Sequence, residues 1–272
     1  PGGLTEVIPA AFGRAGRAVL ALVLLGGALL LGGAARALCA IYPESRGGPL
    51  TGLLLLLAAA YAAERGEETV LRSGAILFFF LTAVEVVILG FSAVQVRAAW
   101  LAPQTGRVPF AAMTAALSPM AVLYVRGGAR RTGGWLAAGI GLCAAAALCA
   151  AGTLSPRVAG EEAFAVYTMA KSVSVFGVME RLEPVVSAAL TAGGFCLLSV
   201  LCLANAKTAQ AIGWKRRTGI GNFLLGCTGY LAGTVLPEGV QAVAAAICWG
   251  IVPLLTLWVA SVKKLQKNQK NA

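Results

Sequence analysis

Between Arg72 and Arg97 lie 24 residues, and Glu85 is the only charged one. A helix needs about 20 apolar residues to cross the hydrocarbon of a bilayer, with a range of roughly 17–25. This run alone fills that length. Seven further apolar segments accompany it, so eight spans are expected: 18–41, 49–63, 70–96, 108–125, 133–153, 184–206, 218–236 and 239–262. The second is short for a crossing. Composition agrees with a bilayer as solvent: 58% of residues are hydrophobic, 12% are charged, and mean hydropathy is +0.81. Soluble domains hold about 45–50% apolar and about 25% charged residues. The expected fold class is an all-α polytopic membrane protein with eight transmembrane helices, forming a single transmembrane domain over residues 1–272.

The loops assign the sides. With the N-terminus cytoplasmic, 15 of the 22 basic residues fall on the cytoplasmic side, among them Arg65, Arg72, Arg126, Arg130, Arg131, Lys207, Lys215 and the lysines beyond Val262. Arg36, Arg46, Arg97, Arg107, Arg157, Lys171 and Arg181 stay on the other side. The positive-inside rule favours this orientation, with both termini cytoplasmic. The net charge of +11 is then a topology signal and a contact with anionic membrane lipid, not a nucleic-acid footprint. Residues 154–183 form a long outer loop in which 161–179 is expected to be helical.

The chain has no histidine, and all 11 of its acidic residues are glutamates. The commonest general base, the commonest zinc ligand and the usual magnesium ligand are thus missing together. No enzyme, metal site or cofactor is expected. The seven cysteines form no C-x-x-C pair, and all but Cys39 lie well inside apolar runs, where cysteine packs as a small hydrophobe. The Gly229-x-x-x-Gly233 pair is read as a close helix contact.

Three features could carry function. Glu85 sits where an ionised carboxylate is costly, so it should face the bundle interior. It is a candidate for proton or cation coupling; a hydrogen bond to a neighbouring helix or to Thr82 is the structural alternative. Pro119 removes a backbone donor within "AALSPMAVLYV" and should break the helix around Leu117, Ser118 and Pro119. Finally, Ser187 and Thr191 share a face of the sixth segment. Their hydroxyls could serve an ion or substrate, or bond their own backbone.

Three stretches bear a family resemblance. The opening "PGGLTEVIPAAFGRAGR" is followed, one span and "YPESRGGPL" later, by "YAAERGEETVLRSGAILFFF", with Tyr61, Ala62, Ala63, Arg65, Gly66, Glu68 and Arg72 at matching positions. "YTMAKSVSVFGVMERLEPV" matches with Phe176, Glu180, Arg181, Leu182 and Glu183. "ANAKTAQAIGWKRR" follows the next span. In this order they resemble the spore germination permeases, the B subunits of endospore nutrient-germinant receptors, in the amino acid/polyamine/organocation superfamily. That resemblance implies ten spans in two inverted five-helix repeats, with the eight segments corresponding to spans three to ten and two more expected upstream. It implies a small nutrient such as an amino acid as ligand, and receptor A and C subunits as partners, in the cell membrane or spore inner membrane. Thr114, Leu117, Ser118, Pro119 and Thr191 become the expected substrate-binding residues. Glu85 and Ser187 become the expected ion- or proton-coupling residues. The family commonly carries an acid at the sixth-span break; this chain has Leu117, Ser118 and Pro119 there. A secondary amino acid transporter of the same superfamily and a non-transporting membrane assembly protein are the alternatives.

Overall fold

The computed structural model describes residues 3–39, 48–101, 117, 120–125, 130–162, 165–172, 183–214 and 218–270. All regular structure among them is helical. In chain order the helices are α1 (Leu4–Phe12), α2 (Gly16–Cys39), α3 (Gly48–Glu64), α4 (Glu67–Ala93), α5 (Ala121–Val125), α6 (Arg130–Leu154), α7 (Pro156–Glu161), α8 (Ala165–Ser172), α9 (Glu183–Ile212), α10 (Thr218–Val235), α11 (Glu238–Ala245) and α12 (Val252–Lys270). A π-helical turn, Ala246–Ile251, joins α11 to α12.

Four helical stretches among the described residues are long and apolar enough to cross a membrane: Leu4–Cys39, Glu67–Ala93, Pro184–Ile212 and Gly239–Val262. Pro49–Glu64 and Gly141–Leu154 are shorter apolar helices. The helix Thr218–Val235 is 18 residues long, but five glycines and Asn222 dilute its hydropathy. Of the expected span 108–125, only Leu117 and 120–125 are described.

The core is built around α2. Its central residues, from Gly26 to Ala35, are all buried, and α3, α9, α10 and α11 pack around it. The α2–α10 contact is the closest. A β-carbon on Gly32 would overlap the backbone at Gly229 and Tyr230, and one on Gly229 would overlap the Ala28 carbonyl. Small residues permit this approach, and in lipid, where apolar burial gives little drive for association, close packing is the main attraction between helices. Leu31 and Leu56 fill the space beside Gly226. Gly229 and Gly233 thus belong to the packed face of α10, one turn apart.

The opening segment Leu4–Phe12 is an amphipathic helix. Leu4, Ile8 and Ala11 recur at helical spacing and are buried. Gly13, at φ 58°, lets the chain turn through a short 3-10 segment into α2. The outer loop also departs from the single helix expected over 161–179. Helix α7 starts earlier, at Pro156, because proline suits a first turn. Glu162 is then extended, which separates α7 from α8. Residues 173–182 lie outside the described set.

The long helix α9 continues past the expected end at Ala206 to Ile212. It stops in a Schellman turn: Gly213, at φ 111°, donates to Gln210 O at 3.0 Å and Trp214 donates to Ala209 O at 3.0 Å. On the extra turn Lys207 donates from Nζ to Glu67 Oε2 at 2.6 Å and to the Val125 carbonyl at 2.8 Å. One ammonium thereby ties the start of α4 and the end of α5 to α9. The two side chains of the pair are 30% and 28% exposed, which weakens the pair without abolishing it. Lys207→Met should therefore destabilise the chain by about 1–2 kcal/mol, at the low end of what hydrogen bonds to charged groups contribute. In a double-mutant cycle with Glu67→Gln, read by unfolding in detergent, the effects should be non-additive; additivity would contradict the tie.

Candidate functional site

Helix α4 carries its polar residue on the packed side. The less exposed positions of α4 include Val70, Ser73, Leu77, Leu81, Glu85, Ile88 and Ser92, which recur as a helical stripe. Phe79, 77% exposed, and Ile76, 74% exposed, point the other way. None of the most apolar 18 residues of α4 is fully buried, so this helix stands at the edge of the bundle and Glu85 lies half-buried beneath it. The register against α9 follows from two contacts. Glu67 meets Lys207, and Leu81 meets Gly193, so the two helices advance by equal steps in opposite directions. The same register sets Glu85 level with residues 187–191.

The hydroxyls at that level are Ser187 and Thr191. Ser187 is buried and donates to the Tyr167 hydroxyl of α8 at 3.4 Å. Thr191 donates to the Ser187 carbonyl at 2.8 Å, the backbone bonding expected of a membrane threonine. The register therefore sets Glu85 alongside the Ser187–Thr191 turn of α9, in the region where α4, α6, α8 and α9 pack together. Ser187 links the group on α9: its hydroxyl reaches Tyr167 and its carbonyl receives the Thr191 hydroxyl. The metal-binding side chains among the described residues form no group of three or more.

Leu117 sits elsewhere. It is half-buried against the main core and lies within van der Waals distance of the place where a β-carbon on Gly250 would be, at the π-helical turn. Thr114, Ser118 and Pro119 lie outside the described residues. Tyr61 and Arg65 form an i,i+4 pair at the end of α3, with the guanidinium 5.0 Å from the ring centroid, and Glu68 pairs with Arg72 on α4. Glu180, Arg181 and Leu182 are outside the described set.

One polar cluster escaped the sequence reading. Arg36, which lies inside the expected span 18–41 and was counted on the outer side, occupies the last turn of α2. It donates to the Gly233 carbonyl and, at 3.2 Å, to Gln241 Oε1. Gln241 Nε2 donates in turn to Leu236 O at 2.7 Å. Together they satisfy carbonyls at the end of α10, where the helix dipole favours a cation. The signal available in the sequence was the spacing: Arg36 follows Leu29 by two helical turns, still within reach of the apolar run.

No family model, curated protein or solved structure matches the chain.

The arginine cap makes a direct prediction. Arg36→Leu leaves Gln241 Oε1 without its donor and removes one bond to Gly233 O, so unfolding in detergent should be easier by about 1–3 kcal/mol. Gln241→Leu in the same background should then add little, because the two side chains act on the same carbonyls. Independent, summing effects would contradict a shared cap.

Proposed function

We propose that the chain is a permease-like membrane subunit that binds a small nutrient, such as an amino acid, within the bilayer. In this reading it acts as the B-type subunit of a spore nutrient-germinant receptor, together with A and C subunits, and nutrient binding triggers germination. The observation that carries the proposal is the order of the three family-like stretches along one chain, at Tyr61 to Arg72, Tyr167 to Glu183 and Ala204 to Arg217. An apolar, all-helical chain with no histidine or aspartate is suited to binding rather than to acid–base chemistry.

The eight spans and their correspondence to spans three to ten of the inverted-repeat fold belong to the same proposal. So does the cytoplasmic position of both termini. Thr114, Leu117, Ser118, Pro119 and Thr191 would contact the nutrient. Glu85 and Ser187 would accompany it with a proton or cation. A second reading, a secondary transporter of small amino acids, is favoured by one observation: a half-buried carboxyl level with two hydroxyls on the neighbouring helix.

Protein purified from its native membrane and placed in nanodiscs tests the proposal. At least one amino acid should give a saturable rise in unfolding temperature, and Glu85→Gln should alter the response to pH more than the stability itself. Co-purification of A- and C-type subunits would favour the receptor; concentrative uptake in proteoliposomes without them would favour the transporter. Failure of every amino acid to bind, with no partner subunit recovered, would contradict both.

A further inference from the structure

Helix α2 changes character along its length. From Gly26 to Ala35 every residue is buried, but its first turns present an outward stripe. Arg14, just ahead of the helix, and Arg17, Ala18, Ala21, Leu22 and Leu25 on it are all exposed. Steps of three and four residues set those of α2 on one face. The stripe is basic first and apolar after: Leu22 is 52% exposed and Leu25 is 60% exposed. At Gly26 it is closed by Cys248 and Trp249 of the π-helical turn, which a β-carbon there would overlap or crowd. From Arg17 to Leu25 a helix rises about 12 Å, close to one half of a hydrocarbon core about 30 Å thick.

More positive charge gathers at the same end of the bundle. Helix α1 lies against the start of α2, since a β-carbon on Gly16 would overlap Pro9, and α1 packs against α12 as well. The helical run Gly239–Val262 is antiparallel to α2: Gln241 meets Arg36, and further along Trp249 meets the Val23 carbonyl. Past Val252 it therefore heads toward the level of Arg17, and Trp258 on this stretch is 66% exposed. Helix α12 continues to Lys270, and the sequence places Lys263, Lys264, Lys267 and Lys270 in its last two turns. Over residues 1–20 and 252–272, six basic residues stand against one acid, Glu6. Elsewhere the charge is locally balanced: Arg72 and Arg157 pair with glutamates of their own helices, and Lys207 pairs with Glu67.

We propose that the outward face of α2, headed by Arg14 and Arg17, docks an anionic phospholipid of the adjoining leaflet. The head-then-tail order of the stripe decides the class. Guanidinium groups match the oxygens of a phosphate. A docked lipid sets its phosphate at the two arginines and lays an acyl chain over Leu22 and Leu25, as far as the π-helical turn. A free phosphate or a nucleic acid would leave the apolar half bare. The Trp258 ring suits the headgroup level, and the charge of the α12 tail adds attraction to a negative surface. The contact belongs to this face rather than to the basic residues at large, and it does not depend on the nutrient-receptor reading.

Native mass spectrometry tests it, with the full chain released from nanodiscs that hold phosphatidylglycerol and phosphatidylcholine in equal parts. Wild type should retain phosphatidylglycerol severalfold over phosphatidylcholine. Arg14→Gln/Arg17→Gln should lose most of that preference. Arg65→Gln/Arg72→Gln, which removes equal charge away from α2, should keep it. All four side chains are exposed, so the core is untouched; should the first double variant fail to fold, Arg17→Gln alone is read in the same way. Equal losses in the two double variants would make the effect one of net charge and overturn the proposal. Equal retention of both lipids by wild type would do the same. Displacement of the retained phosphatidylglycerol by millimolar inorganic phosphate would assign the arginines to a free anion and also overturn it.

Discussion

The crossing of α2 and α10 at Gly32 and Gly229 is the contact on which the bundle depends. Backbone meets backbone there, with no side chain between. Within lipid such closeness matters, because dispersion and packing replace the water-driven attraction that assembles soluble cores. The crossing also fixes what lies on either side of it. Toward the end of α2 it delivers Arg36 to the carbonyls of α10. Toward the start it leaves Gly26 and Gly27 free to receive Trp249 and Asn205.

Polar groups in this chain are placed by the helices that flank α2. Arg36 and Gln241 close one end of α10. Lys207 closes the opposite side of the bundle, drawing α4 and α5 onto α9. Between these ends, Glu85 is sheltered by the stripe along which α4 packs. Arg36 and Lys207 are held because a neighbouring helix supplies carbonyls, an amide oxygen or an opposite charge. Helix α4 is held by one stripe only, with its phenylalanines turned outward, as suits a helix bordered by lipid acyl chains.

Much of this was legible in the sequence. Uninterrupted apolar runs mark α2, α4, α9 and the Gly239–Val262 helix, because bilayer thickness leaves few other uses for such lengths. The Gly229-x-x-x-Gly233 spacing pointed to a close helix contact. The packed side of α4 could be inferred from the cost of exposing Glu85 to lipid. Other features had no local signal. Asn205 and Asn222 look alike in sequence, and only tertiary packing gives one a carbonyl and the other none. The π-helical turn at Ala246–Ile251, from which Trp249 reaches the Val23 carbonyl, has no distinctive local signal. Arg36, at the outer end of the expected span 18–41, counted only as an outer-side charge, because positive-inside counting sees sign and position, not the neighbouring helix end that accepts the donors.

The central claim is that the bundle rests on backbone contact between α2 and α10. The most direct measurement compares unfolding in detergent of Gly229→Leu with that of Gly139→Leu. Gly229 faces the Ala28 carbonyl, whereas a β-carbon on Gly139 would meet open space. Overpacking at a contact that cannot yield typically costs about 1–3 kcal/mol and sometimes more, so Gly229→Leu should lose about 3 kcal/mol. Gly139→Leu should be neutral or slightly stabilising, since leucine favours helix over glycine. Equal, small effects at the two positions would contradict the account.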